Sequence, residues 1–460
     1  MYKLDFNKPC KIHFTGIGGI SMSGLAQILL SRGFTVTGSD SKLSPITDEL
    51  EAKGATVFLG QRYGNISKDT TVLVYTAAVN HENPELVAAS DYNIPTLTRA
   101  ELLGQIMKNY KLAIGVAGTH GKTTTTSMIS QILLEYECDP TILVGGIMPA
   151  IDGNIRIGHS QNFITEACEY TNSFLSFAPT IGVILNIKED HLDFFKDIND
   201  IRHSFKKYAE LLPSDGALII NNSIENIDYI TGGLACKVVT YSIDDHSCMF
   251  SADNVSYNNL ACGCFDLLIN GNPSGRVNLK LPGVHNVSNA LAAAAAAVTS
   301  GIPVDTVIAG LNHSSGTKRR FEYKGDLCGV TVIDDYAHHP DEIRATLTTA
   351  ANYKYNSLWC VFQPHTYSRT FALLDEFADA LKLADKVVLA DIYAAREKNT
   401  IGITSKDLQK KLIEKGVEAY YFPSFDEIEN FLLKNCINGD LLITMGAGDV
   451  VNIGENLLGI

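Results

Sequence analysis

The chain has 460 residues, of which 45% are hydrophobic and 19% are charged, as expected of a globular protein too long for one hydrophobic core. Lys and Arg number 37 against 51 Asp and Glu, and the net charge of −14 excludes long-range attraction to nucleic acid or to an anionic membrane. The N-terminal residues contain no apolar run and the 10 cysteines are scattered, so the sequence predicts a reduced, cytoplasmic protein without a signal peptide or a zinc site.

Strands and helices are predicted to alternate over the first hundred residues. A helix at 20–30 should end before Gly33, and Ser44 with Pro45 indicates the cap and first turn of the next helix. Apolar strands are predicted at residues 11–15, 35–37, 56–58 and 72–75. This order predicts a mostly parallel sheet with helices on both faces, and we assign residues 1–109 to a Rossmann-like domain.

A glycine turn joins the first predicted strand to the first helix. Gly16, Gly18 and Gly19 would let the backbone approach a phosphate, and the helix that begins near Ser21 would supply amide donors. Asp40, at the end of the next strand, could accept a ribose hydroxyl. The turn therefore indicates a nucleotide-diphosphate site. A purely structural turn is the alternative, because Ser21 stands where a dinucleotide fingerprint has glycine or alanine.

A second unit, residues 110–318, opens with a predicted strand at 112–116, a glycine-containing loop and a helix at 124–135. In such a loop the backbone amides surround phosphates, Lys122 neutralises the β- and γ-oxygens, and the Thr123 hydroxyl holds Mg²⁺. The pattern is a variant, because a full Walker motif has glycine where this chain has Val116. The loop nevertheless predicts that the central domain binds ATP.

Carboxylates follow two later strands of the central unit. The predicted strand at 163–166 ends in Glu166, and the strand at 181–187 is followed by Asp190 and His191. Parallel strands present such residues at one sheet edge, which predicts a metal site, with a solvated acidic loop as the alternative. Further on, residues 221–278 predict short antiparallel strands, and the alanine-rich stretch after Asn289 predicts a tightly packed helix.

A third unit, residues 319–460, returns to the alternation of strand and helix and predicts a second Rossmann-like domain. Its strands are predicted at residues 330–333, 359–362, 386–389 and 441–444. Polar clusters follow three of the strands, at residues 334–340, 363–369 and 394–398. Together they indicate a ligand-facing edge. Arg319 and Arg320 lie at the junction of the second and third units, where they could reach a phosphate of ATP.

Eight segments spread over the whole chain resemble the Mur ligase family, and two of them, GIGGISMSG and DDYAHHP, are typical of its alanine-adding branch. The segments are residues 16–24 (GIGGISMSG), 117–126 (AGTHGKTTTT), 166–174 (EACEYTNSF), 189–193 (EDHLD), 282–290 (PGVHNVSNA), 334–340 (DDYAHHP), 362–370 (FQPHTYSRT) and 445–449 (MGAGD). The resemblance implies an α/β protein of three domains: N-terminal Rossmann-like, central P-loop ATPase with a mixed sheet, and C-terminal Rossmann-like. It also implies ATP- and Mg²⁺-dependent ligation of L-alanine to the lactyl carboxylate of UDP-N-acetylmuramate, through an acyl phosphate.

The resemblance also assigns residues to the implied site. ATP would be bound by Gly118, Thr119, His120, Gly121, Lys122, Thr123, Thr124, Asn286, Asn289, Arg320 and Asp335; magnesium by Thr123, Glu166 and His191; the UDP-sugar by Gly16, Gly18, Gly19, Ser21 and Asp40; and Lys122, His191, His338 and Arg369 would be catalytic. The chain departs from many family members at Thr366, where they carry arginine. Several members also carry a carbamoylated lysine at a fixed distance after the Asp-His motif. That position is Phe205 here, one residue before Lys206, which implies a metal site without a carbamate.

Three other functions remain open at this stage. A sister ligase would attach a murein tripeptide to the same UDP-sugar in place of alanine. An oxidoreductase would use the first glycine turn and Asp40 for a dinucleotide, but it leaves the Gly-Lys-Thr loop unexplained. A nucleotide-gated binding protein would use both loops without any chemistry.

Overall fold

The computed structural model describes residues 2–76, 79–192, 194–258, 260–395 and 397–460. The chain forms two compact units. The first contains the described residues up to Ser251 together with Leu267–Gly275 and Asn289–Leu311, and the second contains Ala252–Asp266, Arg276–Ser288 and Asn312–Ile460. Among the described residues, no helix has the length and apolar character needed to span a bilayer.

The first unit begins with a five-stranded sheet in the order β3-β2-β1-β4-β5, in which all neighbouring strands run parallel. Its elements are β1 (Lys11–Thr15), α1 (Ile20–Ser31), β2 (Thr35–Asp40), α2 (Pro45–Ala52), β3 (Thr56–Leu59), β4 (Val72–Tyr75), α3 (Pro84–Asp91), β5 (Thr96–Thr98) and α4 (Arg99–Met107). The predicted alternation is confirmed. Gly33 follows α1 with φ +82°. Ser44 forms a capping box with Thr47, and Pro45 is the first residue of α2.

A ten-stranded mixed sheet follows, in the order β15-β14-β13-β12-β11-β10-β6-β9-β7-β8. Its elements are β6 (Leu112–Ala117), α5 (Lys122–Glu135), β7 (Thr141–Met148), β8 (Gly153–Arg156), β9 (Asn162–Glu166), β10 (Ile181–Ile184), α6 (Ile198–Ala209), β11 (Ala217–Asn221), α7 (Ile227–Thr231), β12 (Lys237–Ser242), β13 (Phe250–Tyr257), β14 (Cys262–Ile269), β15 (Asn272–Pro282), α8 (Val284–Thr299) and α9 (Val304–His313). Strands β7 and β8 are antiparallel, whereas β6 pairs in parallel with β9 and β10.

Two predictions for the central region have different outcomes. The prediction of short antiparallel strands is wrong for β12, which runs parallel to both β11 and β13. The short helix α7 supplies the crossover that a parallel return requires. The prediction of a tightly packed alanine-rich helix is confirmed, because Ala290 and all residues from Ala292 to Ala297 in α8 are fully buried.

The second unit contains a six-stranded sheet in the order β16-β17-β21-β18-β19-β20. Its elements are β16 (Glu322–Leu327), β17 (Val330–Asp335), α10 (Pro340–Ala350), β18 (Leu358–Phe362), α11 (Tyr367–Ala372), α12 (Leu374–Leu381), β19 (Lys386–Leu389), α13 (Ser405–Glu414), β20 (Glu418–Tyr421), α14 (Phe425–Asn435), β21 (Leu441–Met445) and α15 (Val451–Leu458). Strand β16 is antiparallel to β17, and the other pairs are parallel. The predicted Rossmann-like sheet is thus present with an antiparallel edge strand.

Candidate functional site

The predicted phosphate loop connects β6 to α5 and has a backbone that only glycine accommodates at two positions. Gly118 has φ +145° and Gly121, the residue that caps α5, has φ +86°. A Cβ atom on Gly121 would lie 2.7 Å from Oδ1 of Asn289, and one on Gly118 would lie 3.0 Å from Cβ of Leu185. The loop leads directly into the N-terminus of α5. Backbone amides at a helix N-terminus can donate hydrogen bonds to phosphates such as those of ATP.

Asn186, which follows β10, fixes the conformation of this loop. Its side chain accepts a hydrogen bond from the His120 amide at 2.9 Å and donates one to the His120 carbonyl, also at 2.9 Å. The Thr119 hydroxyl accepts a hydrogen bond from the Lys188 amide at 2.9 Å. Asn186 was not among the predicted site residues, because its only signal in the sequence is its place at the end of a strand. Thr123 and Thr124 lie in the first turn of α5.

Lys122 is the first residue of α5, and its ammonium group is folded back onto the loop. Nζ donates to the carbonyls of Gly118 at 2.5 Å and Thr119 at 3.0 Å, and to Oε2 of Glu169 at 2.9 Å. Burial alone would lower the pKa of Lys122, but the negative charge of Glu169 raises it above its ordinary value. The sequence analysis quoted Glu169 within a family segment without giving it a role.

The three predicted metal ligands follow neighbouring parallel strands. Glu166 is the last residue of β9 and pairs with Val116 of β6. Thr123 lies in α5, which follows β6 after the glycine loop, and His191 follows β10, the other neighbour of β6. Oε1 of Glu166 accepts the Gly145 amide at 2.5 Å. The hydroxyl and carboxylate are oxygen donors of the kind that Mg²⁺ prefers, and the imidazole is a nitrogen donor that suits it less well.

His191 is held in an unusual conformation beside an aromatic ring. Its φ is +54°, in the left-handed region, and its ring centroid lies 4.5 Å from that of Tyr170. Backbone conformations of this kind persist where the surroundings enforce them, often at functional sites. Asp193, the last residue of the predicted EDHLD segment, lies outside the described residues.

The position implied for a carbamoylated lysine lies on α6. Phe205 is fully buried, with its ring edge-on to Phe174 at 5.3 Å. Nζ of Lys206 lies 4.6 Å from the centre of the Tyr229 ring, a cation–π contact. We therefore expect Lys206→Ala to retain near-normal ligation in a phosphate-release assay. A collapse of activity that short carboxylates restore would show that Lys206 is the modified residue.

The N-terminal glycine turn is closed by Asp40. Its Oδ2 accepts the Gly18 amide at 2.9 Å, and a Cβ atom on Gly18 would lie 2.9 Å from the same oxygen. The amides of Gly18 and Gly19 are therefore used within the turn, since Gly19 donates to the Gly16 carbonyl at 3.3 Å. The amides of Ile20 and Ser21 lie in the first turn of α1, where a helix supplies no acceptor, and they are therefore the candidate donors for a diphosphate.

Arg99, which the sequence analysis missed, lies beside this turn at the start of α4. Its guanidinium donates to the Ser21 hydroxyl at 3.0 Å, and burial lowers its pKa. A guanidinium there adds positive charge to a turn predicted to bind a diphosphate. Its only sequence signal is an arginine at a helix start after Thr98, the residue that caps α4.

Two asparagines that the resemblance placed near adenine lie three residues apart on α8. Asn286 donates to the carbonyl of Pro282 at 2.8 Å. Asn289 lies against the phosphate loop, as its proximity to Gly121 shows. Both side chains are buried. Their spacing puts them on one face of the helix, in keeping with a shared ligand.

In the second unit, Asp335 ends β17 and organises the segment around it. Its carboxylate accepts the amides of Phe321 and Ala337, each at 2.7 Å. Burial raises the pKa of Asp335 to about 6, although the positive charge of Arg320 acts in the opposite direction. The Arg320 guanidinium lies 5.3 Å from the centre of the Tyr336 ring. The structure thus brings together Arg320 and Asp335, both predicted to contact the nucleotide.

Two histidines and an arginine form a second cluster in this unit. The His338 and His365 rings lie 5.6 Å apart, and Arg369 donates to Nδ1 of His365 at 3.4 Å. Burial lowers the pKa of His338 and, with help from the charges of His338 and Arg369, lowers that of His365 to about 4. His365 is therefore neutral at pH 7. The sequence analysis had quoted it in a family segment but had not assigned it to the site.

Thr366, where the chain departs from many family members, directly follows His365 in the sequence. Thr366 has φ +67°, an unusual conformation for a β-branched residue, and donates its amide to the carbonyl of Tyr393 at 2.9 Å. Arg396, within the third predicted polar cluster, lies outside the described residues.

Three family models match the chain. They describe a Mur ligase family catalytic domain at residues 11–111, a Mur ligase middle domain at 116–297 and a Mur ligase glutamate ligase domain at 319–448. Proteins named UDP-N-acetylmuramate–L-alanine ligase from Lachnospira eligens and Agathobacter rectalis are each 60% identical to this chain, over 100% of both sequences.

Solved structures give the same result. A UDP-N-acetylmuramate–alanine ligase from Thermotoga maritima is 30% identical, with a TM-score of 0.82 over 98% of each chain. A murein peptide ligase from Psychrobacter arcticus is 26% identical, with a TM-score of 0.74 over 98% of each chain. The three-domain α/β fold predicted from the sequence is thereby confirmed.

Proposed function

The chain belongs to the Mur ligase family, and we propose that it ligates L-alanine to the lactyl carboxylate of UDP-N-acetylmuramate in the cytoplasm, as a step of peptidoglycan biosynthesis. The observation that carries the proposal is the end-to-end similarity to relatives that bear this activity in their names. We assign residues 1–109 to binding of the UDP-sugar, residues 110–318 to binding of ATP and residues 319–460 to a C-terminal Rossmann-like domain.

The family uses ATP, and the phosphate loop supplies the groups that this chemistry needs. The lactyl carboxylate attacks the γ-phosphorus, and ADP leaves with the electrons of the broken P–O bond. The resulting acyl phosphate is attacked by the amine of alanine, and inorganic phosphate leaves. Negative charge gathers on the transferred phosphoryl group, so the loop amides and the Lys122 ammonium act by position and charge.

Thr123, Glu166 and His191 would hold Mg²⁺, which when bound neutralises charge on the ATP phosphates. The Tyr170 ring packs against the His191 ring at an interplanar angle of 31° and limits its movement. The amide of Gly145 fixes the Glu166 carboxylate by a hydrogen bond. These contacts hold two of the proposed ligands in fixed orientations.

The histidine cluster of the second unit suits the amine step. The amine loses a proton as the C–N bond forms, and its pKa falls sharply once nitrogen carries the new bond. A neutral imidazole can then accept that proton, which gives His338 its proposed catalytic role. Arg369 carries a fixed positive charge that can pair with the carboxylate of alanine.

Phosphate release from ATP tests the proposal directly. We expect release only when UDP-N-acetylmuramate and an amino acid are both present, with L-alanine fastest and glycine and L-serine slower. A small pocket discriminates a missing methyl group by only about 1–3 kcal/mol, so some activity with glycine is expected. Preference for the tripeptide L-alanyl-γ-D-glutamyl-meso-diaminopimelate would identify the sister ligase. Rapid hydrolysis of ATP alone, or reduction of NAD(P), would contradict the proposal.

A further inference from the structure

The ammonium group of Lys122 has no donor left for a phosphate. A lysine ammonium has three N–H donors, and here they are directed at Gly118, Thr119 and Glu169. Two of these partners are carbonyls of the phosphate loop itself. The third, the Glu169 carboxylate, belongs to a different segment and carries the same sign of charge as a phosphate. Binding of a β- or γ-phosphate oxygen to Lys122 therefore requires at least one existing contact to break.

Glu169 is the partner that a phosphate would replace. It is almost completely buried, with 3% of its side chain exposed, and both of its oxygens lie within 3.2 Å of Nζ. Water therefore screens this ion pair poorly, and the carboxylate is held where it opposes an incoming anion. The carbonyls of Gly118 and Thr119, by contrast, belong to the phosphate loop itself and can keep their hydrogen bonds with the lysine.

The backbone after Glu169 is fixed by its own contacts. Thr171 and Asn172 both have left-handed conformations, with φ of +54° and +58°. The Asn172 amide donates to the Glu169 carbonyl at 2.9 Å, and the Ser204 hydroxyl donates to the Asn172 side chain. Left-handed backbone conformations at two successive non-glycine residues are unfavourable on their own and require such surrounding contacts. These contacts hold the backbone that carries Glu169.

From this arrangement we propose that Glu169 is a positioning residue that holds Lys122 in the nucleotide-free protein and gives it up when the β- and γ-phosphates bind. The inference rests on the proposed role of Lys122 in binding ATP. Glu169 lowers nucleotide affinity in two ways. The lysine must first leave its carboxylate, which reduces the binding-competent fraction, and the carboxylate then remains close to the phosphates. Glu169 in this way keeps the loop lysine ordered until ATP is present.

Titration calorimetry of the full chain with ADP, without Mg²⁺, tests the proposal. Glu169→Gln keeps the size of the side chain and an acceptor oxygen but removes the charge. We expect this variant to bind ADP more tightly, with Kd lowered by about 5-fold or more. AMP lacks the phosphates that reach Lys122, so its Kd should change by less than about 2-fold.

Two control variants test whether the change in ADP affinity comes from the charge at position 169. One removes a carboxylate elsewhere in the chain, and the other keeps the charge at position 169. Glu49→Gln removes a carboxylate that pairs with Lys53 in α2, and it should leave ADP binding unchanged. Glu169→Asp keeps the negative charge and should bind ADP within about 2-fold of wild type. Thermal unfolding of each variant reports whether the fold is intact.

An unchanged or weaker affinity of Glu169→Gln for ADP would overturn the proposal. So would an equal gain in affinity for ADP and AMP, because the effect would then not involve the phosphates at Lys122. The titration contains neither UDP-sugar nor amino acid. Its failure would therefore leave the proposed ligase activity untouched, and failure of the ligase assay would leave this result standing.

Discussion

Replacing Lys122 by alanine should reduce the rate of ligation by at least about 100-fold, because it removes a preorganised cation from the transferring phosphoryl group. In the structure this lysine is the first residue of α5, and its ammonium group contacts the loop carbonyls of Gly118 and Thr119. Water cannot replace it with equal effect, since the site is largely buried. Phosphate release with all substrates saturating measures the loss.

A neighbouring lysine provides the matched control. Lys188 contacts the same loop, but through its backbone amide, and the residue itself is exposed. Lys188→Ala should therefore keep near-normal turnover. If Lys122→Ala retained more than about a tenth of wild-type turnover, the role assigned to the lysine would be contradicted.

Loss of activity must be separated from loss of stability, because Lys122→Ala leaves the buried Glu169 carboxylate without its cation. The double variant Lys122→Ala, Glu169→Gln removes both charges. We expect it to recover most of any stability that the single variant loses, while ligation stays low. Recovery of ligation in the double variant would mean that the unpaired carboxylate, and not the missing lysine, had blocked turnover.

The sequence predicted the strand, the loop and the helix around Lys122 correctly, because each of these parts has a local signal. An apolar strand, two glycines and a Gly-Lys-Thr run are all present in adjacent residues. The contact between Lys122 and Glu169 has no such signal. A carboxylate three residues after Glu166 is equally typical of a solvated loop, and its orientation depends on the left-handed residues Thr171 and Asn172.

The prediction failed for β12 for a related reason. Composition rich in Asn, Ser and Gly indicated short strands but contains no information about their direction. The chain returns from β11 to β12 through α7, a helix of only five residues that is too short to show a clear hydrophobic period. Asp40 is a similar case: the sequence placed it at the end of β2 but could not show that its carboxylate closes the glycine turn.

Arg319 and Arg320 were predicted together as candidates for a phosphate contact, and the structure gives them different surroundings. The Arg319 guanidinium donates to Oδ2 of Asp334 at 2.9 Å and to the carbonyls of Gly448 at 2.9 Å and Gly446 at 2.7 Å. Asp334 is fully buried, and burial raises its pKa. Both guanidinium groups lie over the Tyr336 ring, at 5.0 Å for Arg319 and 5.3 Å for Arg320. Arg319 in addition ties β17 to the segment that follows β21.

These contacts predict opposite consequences for the two alanine variants. Arg319→Ala would leave Asp334 buried without its cation, and we expect the free energy of unfolding to fall by about 3 kcal/mol. Arg320→Ala should destabilise the protein less, because Asp335 keeps the amides of Phe321 and Ala337 as hydrogen-bond donors. It should lower the rate of ligation by at least about 10-fold, because a cation that we propose to contact the nucleotide is lost. Denaturant titration and phosphate release, measured on both variants, separate the two roles. A destabilised Arg320→Ala together with a stable but inactive Arg319→Ala would reverse the assignment and make Arg319 the nucleotide contact.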